Sequence, residues 1–251
     1  MPTSASEHTA GRGSARTAVV WSGLEPGLGL VEGEPRDVLD IGGGTGGLAV
    51  RIGALGHRVV VVDPSPDALA ALDRRAREHD VAVTGRQGDL STLLDVVPPA
   101  GADVVLCHGV LEVVDDPAAA LATLAQVLRP GGTLSLLVAQ RHAAVVARAM
   151  AGHFQEALSL LDPQPDAGPR QQASQGRSRF THDELTALAE GAGFTVDAVH
   201  GIRVFTDLVP GSLLDLEPGA TAALVELEQA VATRPEYLPL ATQLHLLARL
   251  S

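Results

Sequence analysis

Cysteine and aromatic residues are scarce in this chain of 251 residues. The single cysteine, Cys107, excludes an intrachain disulfide and a metal cluster built from cysteines, and it fits a reducing compartment. Aromatic residues make up only 2% of the chain, so Val, Leu and Ala must fill the core, and a hydrophobic content of 45% supplies enough of them. We therefore expect one large domain, or one domain with a cap.

Basic residues and long apolar runs are also in short supply. The chain has 18 Lys and Arg against 30 Asp and Glu, a formal net charge of −12, and such an average field repels phosphate and counts against broad nucleic-acid binding. No stretch reaches the roughly 18 apolar residues of a membrane helix, and residues 1–20 lack the apolar run of a signal peptide. The histidines show no metal-ligand spacing such as HExxH. The sequence thus predicts a cytoplasmic protein with neither a metal site nor a membrane contact.

Between residues 37 and 139, short apolar strands alternate with helical stretches. The consecutive valines from Val59 to Val62 are typical of a strand buried on both faces of a parallel sheet. The alternation predicts an α/β fold, a doubly wound and mostly parallel sheet with helices on both faces and right-handed crossovers. The expected strands are 37–41, 58–63, 81–84, 102–107 and 133–139, and the expected helices are 46–55, 66–78 and 116–128.

The amino-terminal residues are predicted to form a tail and a cap. Residues 1–13 are small and polar, and we expect them to be a disordered tail. The domain then covers 14–251, and a short cap helix is expected within 14–30 around Trp21.

Residues 142–180 are predicted to form a helix and lid insertion. One longer helix is expected at 142–161, followed by a lid at 162–180 that is rich in proline and glycine. Thr181, with Glu184 three residues later, has the pattern of a helix capping box. Closing strands are expected at 194–205 and 240–250, with a helix at 218–233 between them.

A glycine-rich stretch, DIGGGTGG at residues 40–47, lies between the first strand and its helix. Glycines there let the backbone turn tightly and approach a ligand closely, which makes Gly42, Gly43 and Gly44 candidate cofactor contacts. The pattern DxGxGxG is more typical of enzymes that bind S-adenosylmethionine (SAM), although the embedded GxGxxG also occurs in nicotinamide enzymes. A structural turn without a ligand is the alternative.

Two acidic residues follow the next two strands. Asp63 ends the second strand, where a carboxylate can accept hydrogen bonds from both ribose hydroxyls, or else cap the next helix. Asp89 follows the third strand, where its carboxylate can accept from an adenine amino group while the amide of Leu90 donates to the ring. The alternative for Asp89 is the N-cap of a short helix. A bound adenosyl group is the common explanation of both positions.

His108 ends the fourth strand, beside the point where the strand order is expected to reverse. It could line the sulfonium pocket through its ring or backbone, or it could be a structural histidine. The neighbouring Cys107 is most simply a small core residue.

At this point a family resemblance is visible. The segments DIGGGTG, VVDPS, GDL, CHGVLEVVDDP and LRPGGTLSLLV within residues 37–139 resemble class I SAM-dependent methyltransferases. That resemblance implies a seven-stranded Rossmann-like sheet with an antiparallel carboxy-terminal strand. The further segments GSARTAVVW, MAGHFQEAL, GIRVFTD and RPEYLPLATQLHLLAR are similar to bacterial tRNA 5-carboxymethoxyuridine methyltransferases, which esterify the carboxylate of a modified wobble uridine.

The resemblance implies SAM as cofactor, S-adenosylhomocysteine as product and tRNA as partner. Arg16 would hold the methionine carboxylate of the cofactor, because a bidentate pair between an arginine and a carboxylate is strong and geometrically specific. The implied cofactor contacts are Arg16, Gly42, Gly43, Asp63, Asp89, Leu90 and His108.

An acceptor carboxylate is already ionised at neutral pH, so its methylation requires no general base. It does require a cation to hold it. Arg203, at a late strand expected near the site, is the first candidate, and Tyr237 and Arg141 are weaker ones. A salt bridge at a strand edge is the alternative for Arg203, and packing is the alternative for Tyr237.

Other functions remain open at this point. The acidic charge favours a SAM-dependent O- or carboxyl methyltransferase of a small metabolite, whereas the pattern over the whole chain favours tRNA. A nicotinamide-dependent oxidoreductase would bind the dinucleotide instead of SAM. A silent binding protein would bind SAM without transferring a methyl group.

Overall fold

The computed structural model describes residues 19–21, 35–161, 178–214 and 219–251. The strands in these ranges are β1 (Asp37–Ile41), β2 (Arg58–Asp63), β3 (Val83–Gln87), β4 (Ala102–His108), β5 (Leu128–Ala139), β6 (Phe194–Ile202) and β7 (Gln243–Leu250). The helices are α1 (Gly47–Gly53), α2 (Pro66–Glu78), α3 (Leu93–Val96), α4 (Pro117–Val127), α5 (Arg141–Met150), α6 (Phe154–Leu161), α7 (His182–Gly191), α8 (Gly211–Leu214) and α9 (Ala220–Val231). A short 3₁₀ helix covers Leu238–Leu240, and residues 19–21 are helical.

The strands form one seven-stranded sheet in the order β3-β2-β1-β4-β5-β7-β6. The pairs β1–β2, β1–β4, β2–β3 and β4–β5 are parallel, and the carboxy-terminal strands are antiparallel. The strand order reverses between β1 and β4, which is where open α/β sheets bind ligands. The predicted fold class, α/β with a doubly wound and mostly parallel sheet, is therefore confirmed.

The chain divides into two compact units. Among the described residues, the sheet unit comprises 35–138, 185–197 and 246–251, and the second unit comprises 19–21, 139–161, 178–184, 198–214 and 219–245.

Valine and leucine fill the centre of the sheet unit, as the scarcity of aromatic residues requires. Val59, Val61 and Val62 of β2 are at most 2% exposed, and Val104 and Leu106 of β4 are fully buried. Burial on both faces explains why these strands read as continuous apolar runs and not as alternating ones. The carboxyl ends of β1, β2 and β4 are thereby fixed in a rigid frame.

Strand β5 begins earlier than the prediction of 133–139. Helix α4 ends at Val127, and Leu128 already pairs with Ala102, after which the register shifts. Gly131 has a left-handed φ of 74°, and a Cβ on Gly132 would lie 2.8 Å from the carbonyl oxygen of Arg129. The Pro-Gly-Gly segment therefore forms an irregularity inside the strand and not the loop before it.

The single helix predicted at 142–161 is wrong, because the structure has α5 and α6 separated by a sharp turn. Gly152 has a left-handed φ of 80°. Its amide donates to the carbonyl of Ala149 at 3.0 Å, and the amide of His153 donates to the carbonyl of Arg148 at 2.9 Å. These two bonds form a Schellman motif, which ends a helix and satisfies its last carbonyls.

The capping box predicted at the start of α7 is confirmed. The amide of Glu184 donates to Thr181 Oγ1 at 3.3 Å, and the amide of Thr181 donates to Glu184 Oε2 at 2.9 Å. Three strands have other boundaries than expected. Strand β6 ends at Ile202 and not at residue 205, because Arg203 has a left-handed φ of 60°. Strand β7 starts at Gln243 after the 3₁₀ helix, and β3 covers Val83–Gln87 instead of 81–84.

Several expectations fall outside the described residues. These are the tail at 1–13, most of the cap helix at 14–30 and the lid residues 162–177. The single-domain boundary 14–251 stays a prediction. None of the described helices is long and apolar enough to cross a membrane.

The Schellman turn can be tested with a matched pair of glycine substitutions. A Cβ added at Gly152 or at Gly191 would meet no described atom within 4 Å, but only Gly152 is left-handed. We expect Gly152→Ala to lower the free energy of unfolding by about 1 kcal/mol in urea, and Gly191→Ala, inside α7, to leave it unchanged or raise it slightly. Equal effects of the two substitutions would contradict the turn.

Candidate functional site

The glycine-rich segment after β1 forms a turn whose backbone conformation favours glycine. Gly42, Gly44 and Gly46 have left-handed φ values of 69°, 55° and 75°. A Cβ on Gly42 would lie 2.4 Å from Val110 Cγ2, so that position also lacks space for a side chain. The turn therefore offers bare main chain at the carboxyl end of β1, as the sequence predicts.

Asp63 ties this turn to the neighbouring strand. The residue is 7% exposed, its Oδ2 accepts from the amide of Gly44 at 3.0 Å, and its Oδ1 accepts from the amide of Ser65 at 2.9 Å. The side chain of Ser65, and not that of Asp63, caps α2 by accepting from the amide of Ala68 at 3.2 Å. Each carboxylate oxygen of Asp63 has a second lone pair, so the side chain can still accept from ribose hydroxyls.

Asp40 is a buried carboxyl group that the predicted contacts did not include. It lies under the turn, where a Cβ on Gly43 would come 2.5 Å from its Oδ2. Burial, together with the nearby charge of Asp63, raises the pKa of Asp40 to about 7. Its place as the first acid of DxGxGxG is the signal in the sequence that marks it.

Asp89 shapes the loop that follows β3. Its Oδ1 accepts from the amide and hydroxyl of Ser91 at 2.9 and 2.6 Å, and from the amide and hydroxyl of Thr92 at 3.1 Å each. The hydrogen bond from the Ser91 hydroxyl is the main cause that holds the pKa of Asp89 below its usual value. Among the described residues Oδ2 receives no hydrogen bond, so one oxygen organises the loop while the other can serve a ligand.

Leu90 lies beside this loop and is only 6% exposed. The amide of Gly88 donates to the carbonyl of Asp63 at 3.3 Å, which joins the Asp89 loop to the end of β2. The structure thus brings the glycine turn, Asp63 and the Asp89 loop to the carboxyl ends of three adjacent strands.

His108 has a structural partner in the sheet unit. Its Nε2 lies 2.8 Å from the hydroxyl of the fully buried Ser135 on β5. The neighbouring Cys107 is also fully buried, and burial raises the pKa of its thiol to about 12. This agrees with Cys107 as a core residue and leaves the contact of His108 with a cofactor as a prediction. Arg16 lies outside the described residues, so its role is a prediction as well.

The three residues predicted to hold the methyl acceptor belong to the second unit, and they differ in their hydrogen bonds and ion pairs. Arg141 Nη1 lies 2.7 Å from Glu184 Oε1, and Arg141 Nη2 donates to the carbonyl of Arg179 at 3.0 Å. With a side chain 15% exposed, Arg141 is occupied in joining α5 to α7. It is therefore a weak candidate for holding a substrate.

Arg203 and Tyr237 lie around one apolar cluster. The ring of Tyr237 packs edge-on against that of Phe205, with ring centroids 5.8 Å apart. Phe205 and Tyr237 pack against a cluster formed by the buried Val204, Val231 and Ala241. Arg203 pairs with Asp207 through Nη2, whereas its buried Nε has no acceptor among the described residues.

Comparison with protein families matches residues 24–199, more than half of the chain, to a methyltransferase domain. The chain belongs to the methyltransferase domain family. The enzyme is a SAM-dependent methyltransferase, as the motif pattern predicted.

The methyltransferase is similar to curated proteins and to a solved structure. It is 28% identical over 245 residues to the tRNA 5-carboxymethoxyuridine methyltransferase of Escherichia coli K12, which covers 95% of this chain and 89% of that protein. A ubiquinone biosynthesis O-methyltransferase of Xanthomonas campestris is 35% identical over 115 residues, 46% of this chain and 48% of that protein. A SAM-dependent methyltransferase structure from Mesorhizobium loti has a TM-score of 0.59 at 19% identity and covers 94% of this chain and 99% of its own.

The residues of the sheet unit fit SAM chemically. The bare turn at Gly42 and Gly44 allows close approach of a ligand, and Asp63 and Asp89 supply carboxylate oxygens at adjacent strand ends. When bound, SAM supplies a methyl group already activated on a sulfonium. Among the described residues, no group of three metal-ligating side chains is assembled.

The buried Asp40 generates a prediction for stability against pH. The pKa of Asp40 is raised from 3.8 to about 7 in the folded enzyme. The contribution of Asp40 to the free energy of unfolding is therefore fully present below pH 4 and is lost as pH rises through 7. We expect Asp40→Asn to remove that loss. The stability of the variant relative to the wild type should rise by on the order of 4 kcal/mol between pH 4 and 8.

Urea denaturation of the two proteins across this pH range measures the difference, in which titrating groups that do not interact with Asp40 cancel. Parallel stability profiles for the wild type and Asp40→Asn would contradict a raised pKa at this position.

Proposed function

We propose that this enzyme transfers the methyl group of SAM to the carboxylate of 5-carboxymethoxyuridine at the wobble position of tRNA, in the cytoplasm. The observation that carries this proposal is the similarity to the Escherichia coli tRNA enzyme, which covers 95% of the chain and 89% of the relative. Similarity across that length includes the second unit, which carries the candidate acceptor residues, as well as the glycine turn.

In this proposal the sheet unit holds the cofactor. The main chain at Gly42, Gly43 and Gly44 approaches the methionine part of SAM, and Asp63 accepts from the ribose hydroxyls. The free oxygen of Asp89 and the amide of Leu90 bind the adenine. Arg16 holds the cofactor carboxylate, and His108 lines the sulfonium end.

Arg203 and Tyr237 are the proposed contacts of the acceptor. An ionised carboxylate oxygen is a competent nucleophile toward a sulfonium methyl group, so the protein has to align the two groups and exclude water. Arg203 donates to the acceptor carboxylate through the exposed part of its guanidinium, since its side chain is 31% exposed, and the hydroxyl of Tyr237 is a second donor. This assignment requires no general base, and the buried Cys107 thiol has no role in it.

A small-molecule carboxylate or hydroxyl acceptor is the second candidate. The formal net charge of −12 disfavours a polyanionic substrate, and the similarity to the ubiquinone biosynthesis O-methyltransferase over 46% of the chain is consistent with a small substrate. That similarity spans less than half of either protein.

A defined assay separates the two candidates. Purified enzyme is incubated with SAM and with tRNA that carries 5-carboxymethoxyuridine, and the nucleosides are analysed by mass spectrometry. We expect a gain of one methyl group on that nucleoside, lost again on mild alkaline hydrolysis because the product is an ester. Unmodified tRNA, together with methylation of a small carboxylate from a metabolite extract, would overturn the tRNA assignment in favour of the second candidate.

The cofactor assignment predicts the effect of Asp63→Asn. Replacing one acceptor oxygen by an amide NH₂ removes a hydrogen-bond acceptor for the ribose, so we expect the affinity for S-adenosylhomocysteine to fall about 10-fold to 100-fold. Isothermal titration calorimetry measures this affinity in the wild type and the variant.

Asp67→Asn, four residues along the chain in the first turn of α2, makes the same chemical change at an exposed residue that is not a predicted cofactor contact, and it should bind normally. An Asp63→Asn enzyme that is folded and binds S-adenosylhomocysteine as tightly as this control would refute the ribose contact.

A further inference from the structure

Glu228 on α9 is a buried carboxylate that the proposed function does not use. It is 1% exposed. Its Oε2 accepts from the amide of Val204 at 2.9 Å. Its Oε1 accepts from the amides of Phe205 and Thr206 at 2.9 and 2.7 Å and from the Thr206 hydroxyl at 2.6 Å. One side chain thus fixes three consecutive amides of another segment.

These three amides follow directly after Arg203. Arg203 has a φ of 60°, a left-handed conformation that is uncommon for a residue with a side chain. Such a backbone persists only where surrounding contacts impose it, and these residues cluster at functional sites. On the other side, the carbonyl of Arg203 accepts from the amide of Thr242 at 3.3 Å. The Glu228 carboxylate and Thr242 therefore hold Arg203 between them.

The arginine held in this way has an unused donor. Its Nη2 is occupied by Asp207, and its Nε is buried with no acceptor among the described residues. The side chain as a whole is 31% exposed and its Nη1 donates to none of the described residues, so the guanidinium still offers a donor to an acceptor atom of a ligand. A carboxylate is the acceptor that best matches a guanidinium.

We infer that Glu228 is a positioning residue for the methyl acceptor: it imposes the left-handed turn at Arg203 and so directs the guanidinium toward the acceptor carboxylate. This inference depends on the proposed function, because it takes its acceptor from there. Glu228 acts through Arg203 and touches neither substrate nor cofactor.

A purely structural role for Glu228 makes different predictions. Loss of a structural carboxylate would lower stability and the amount of folded enzyme, with no selective change in the KM for the acceptor. Loss of a positioning residue raises the KM for the acceptor and leaves the KM for SAM unchanged, because the predicted SAM contacts that the structure describes belong to the sheet unit.

The test compares Glu228→Gln with Glu226→Gln, the same change at an exposed glutamate on the same helix. In Glu228→Gln one oxygen becomes an NH₂ group that cannot accept from the backbone amides. We expect the KM for tRNA carrying 5-carboxymethoxyuridine to rise about 10-fold while the KM for SAM stays within about 2-fold. Glu226→Gln should match the wild type in both values.

A double-mutant cycle separates positioning from a general defect. Arg203→Ala alone should raise the KM for the acceptor at least as much as Glu228→Gln does. Adding Glu228→Gln to Arg203→Ala should raise it little further, because the group that Glu228 positions is already absent. Additive effects, or an unchanged KM for the acceptor in folded Glu228→Gln, would overturn the inference.

Thr206→Val keeps the test usable if Glu228→Gln does not fold. It removes only the hydroxyl bond to Glu228 Oε1, and we expect a rise of about 2-fold to 3-fold in the KM for the acceptor. An unchanged value in this variant would then overturn the inference.

If the proposed function is wrong, the wild-type enzyme will not methylate this tRNA, which is a different outcome from those above. In that event, crystal structures of the wild type and the Glu228 or Thr206 variant decide the positioning role. A changed φ at Arg203 supports it, and an identical backbone contradicts it.

Discussion

The contact between the Asp63 carboxylate and the amide of Gly44 is the interaction on which the site depends. A chain segment with left-handed residues at 42, 44 and 46 has many alternative conformations, since glycine restricts none of them. A 3.0 Å hydrogen bond from Gly44 to an almost fully buried carboxylate selects one of them. The same carboxylate is the proposed ribose acceptor, so in this proposal one group both shapes the turn and binds the ligand.

The second unit uses the same physical device for the proposed acceptor. There a buried carboxylate, Glu228, holds consecutive amides and thereby fixes a left-handed residue, Arg203. Fixed donors and acceptors suit a reaction in which the methyl group arrives already activated. The contribution of the protein is then mainly alignment, which can reach roughly 7–11 kcal/mol.

The sequence predicted what depends on local pattern. The valines of β2 and the glycine motif predicted a parallel sheet and a bare turn, and both are present because burial and backbone freedom are local properties. The helix break at Gly152 was missed, because an isolated glycine within a helical pattern does not show whether its φ is left-handed. The start of β5 was misplaced, because pairing with Ala102 overrode the proline and glycines that follow Leu128.

The contacts of Glu228 and the raised pKa of Asp40 could not be predicted from sequence. Glu228 accepts from residues 22 to 24 positions away, in a segment that local spacing does not connect to it. The raised pKa of Asp40 results from burial under a turn whose geometry is known only in three dimensions. The burial and the hydrogen bonds or neighbouring charges of such carboxyl groups are properties of the three-dimensional structure.

The most direct test of the central claim is a crystal structure of the enzyme with S-adenosylhomocysteine. We expect the ligand against the main chain of Gly42–Gly44, with its ribose hydroxyls within hydrogen-bond distance of Asp63 and its adenine beside Asp89. A ligand bound elsewhere, or an Asp63 carboxylate that contacts only Gly44 and Ser65 in the complex, would contradict it.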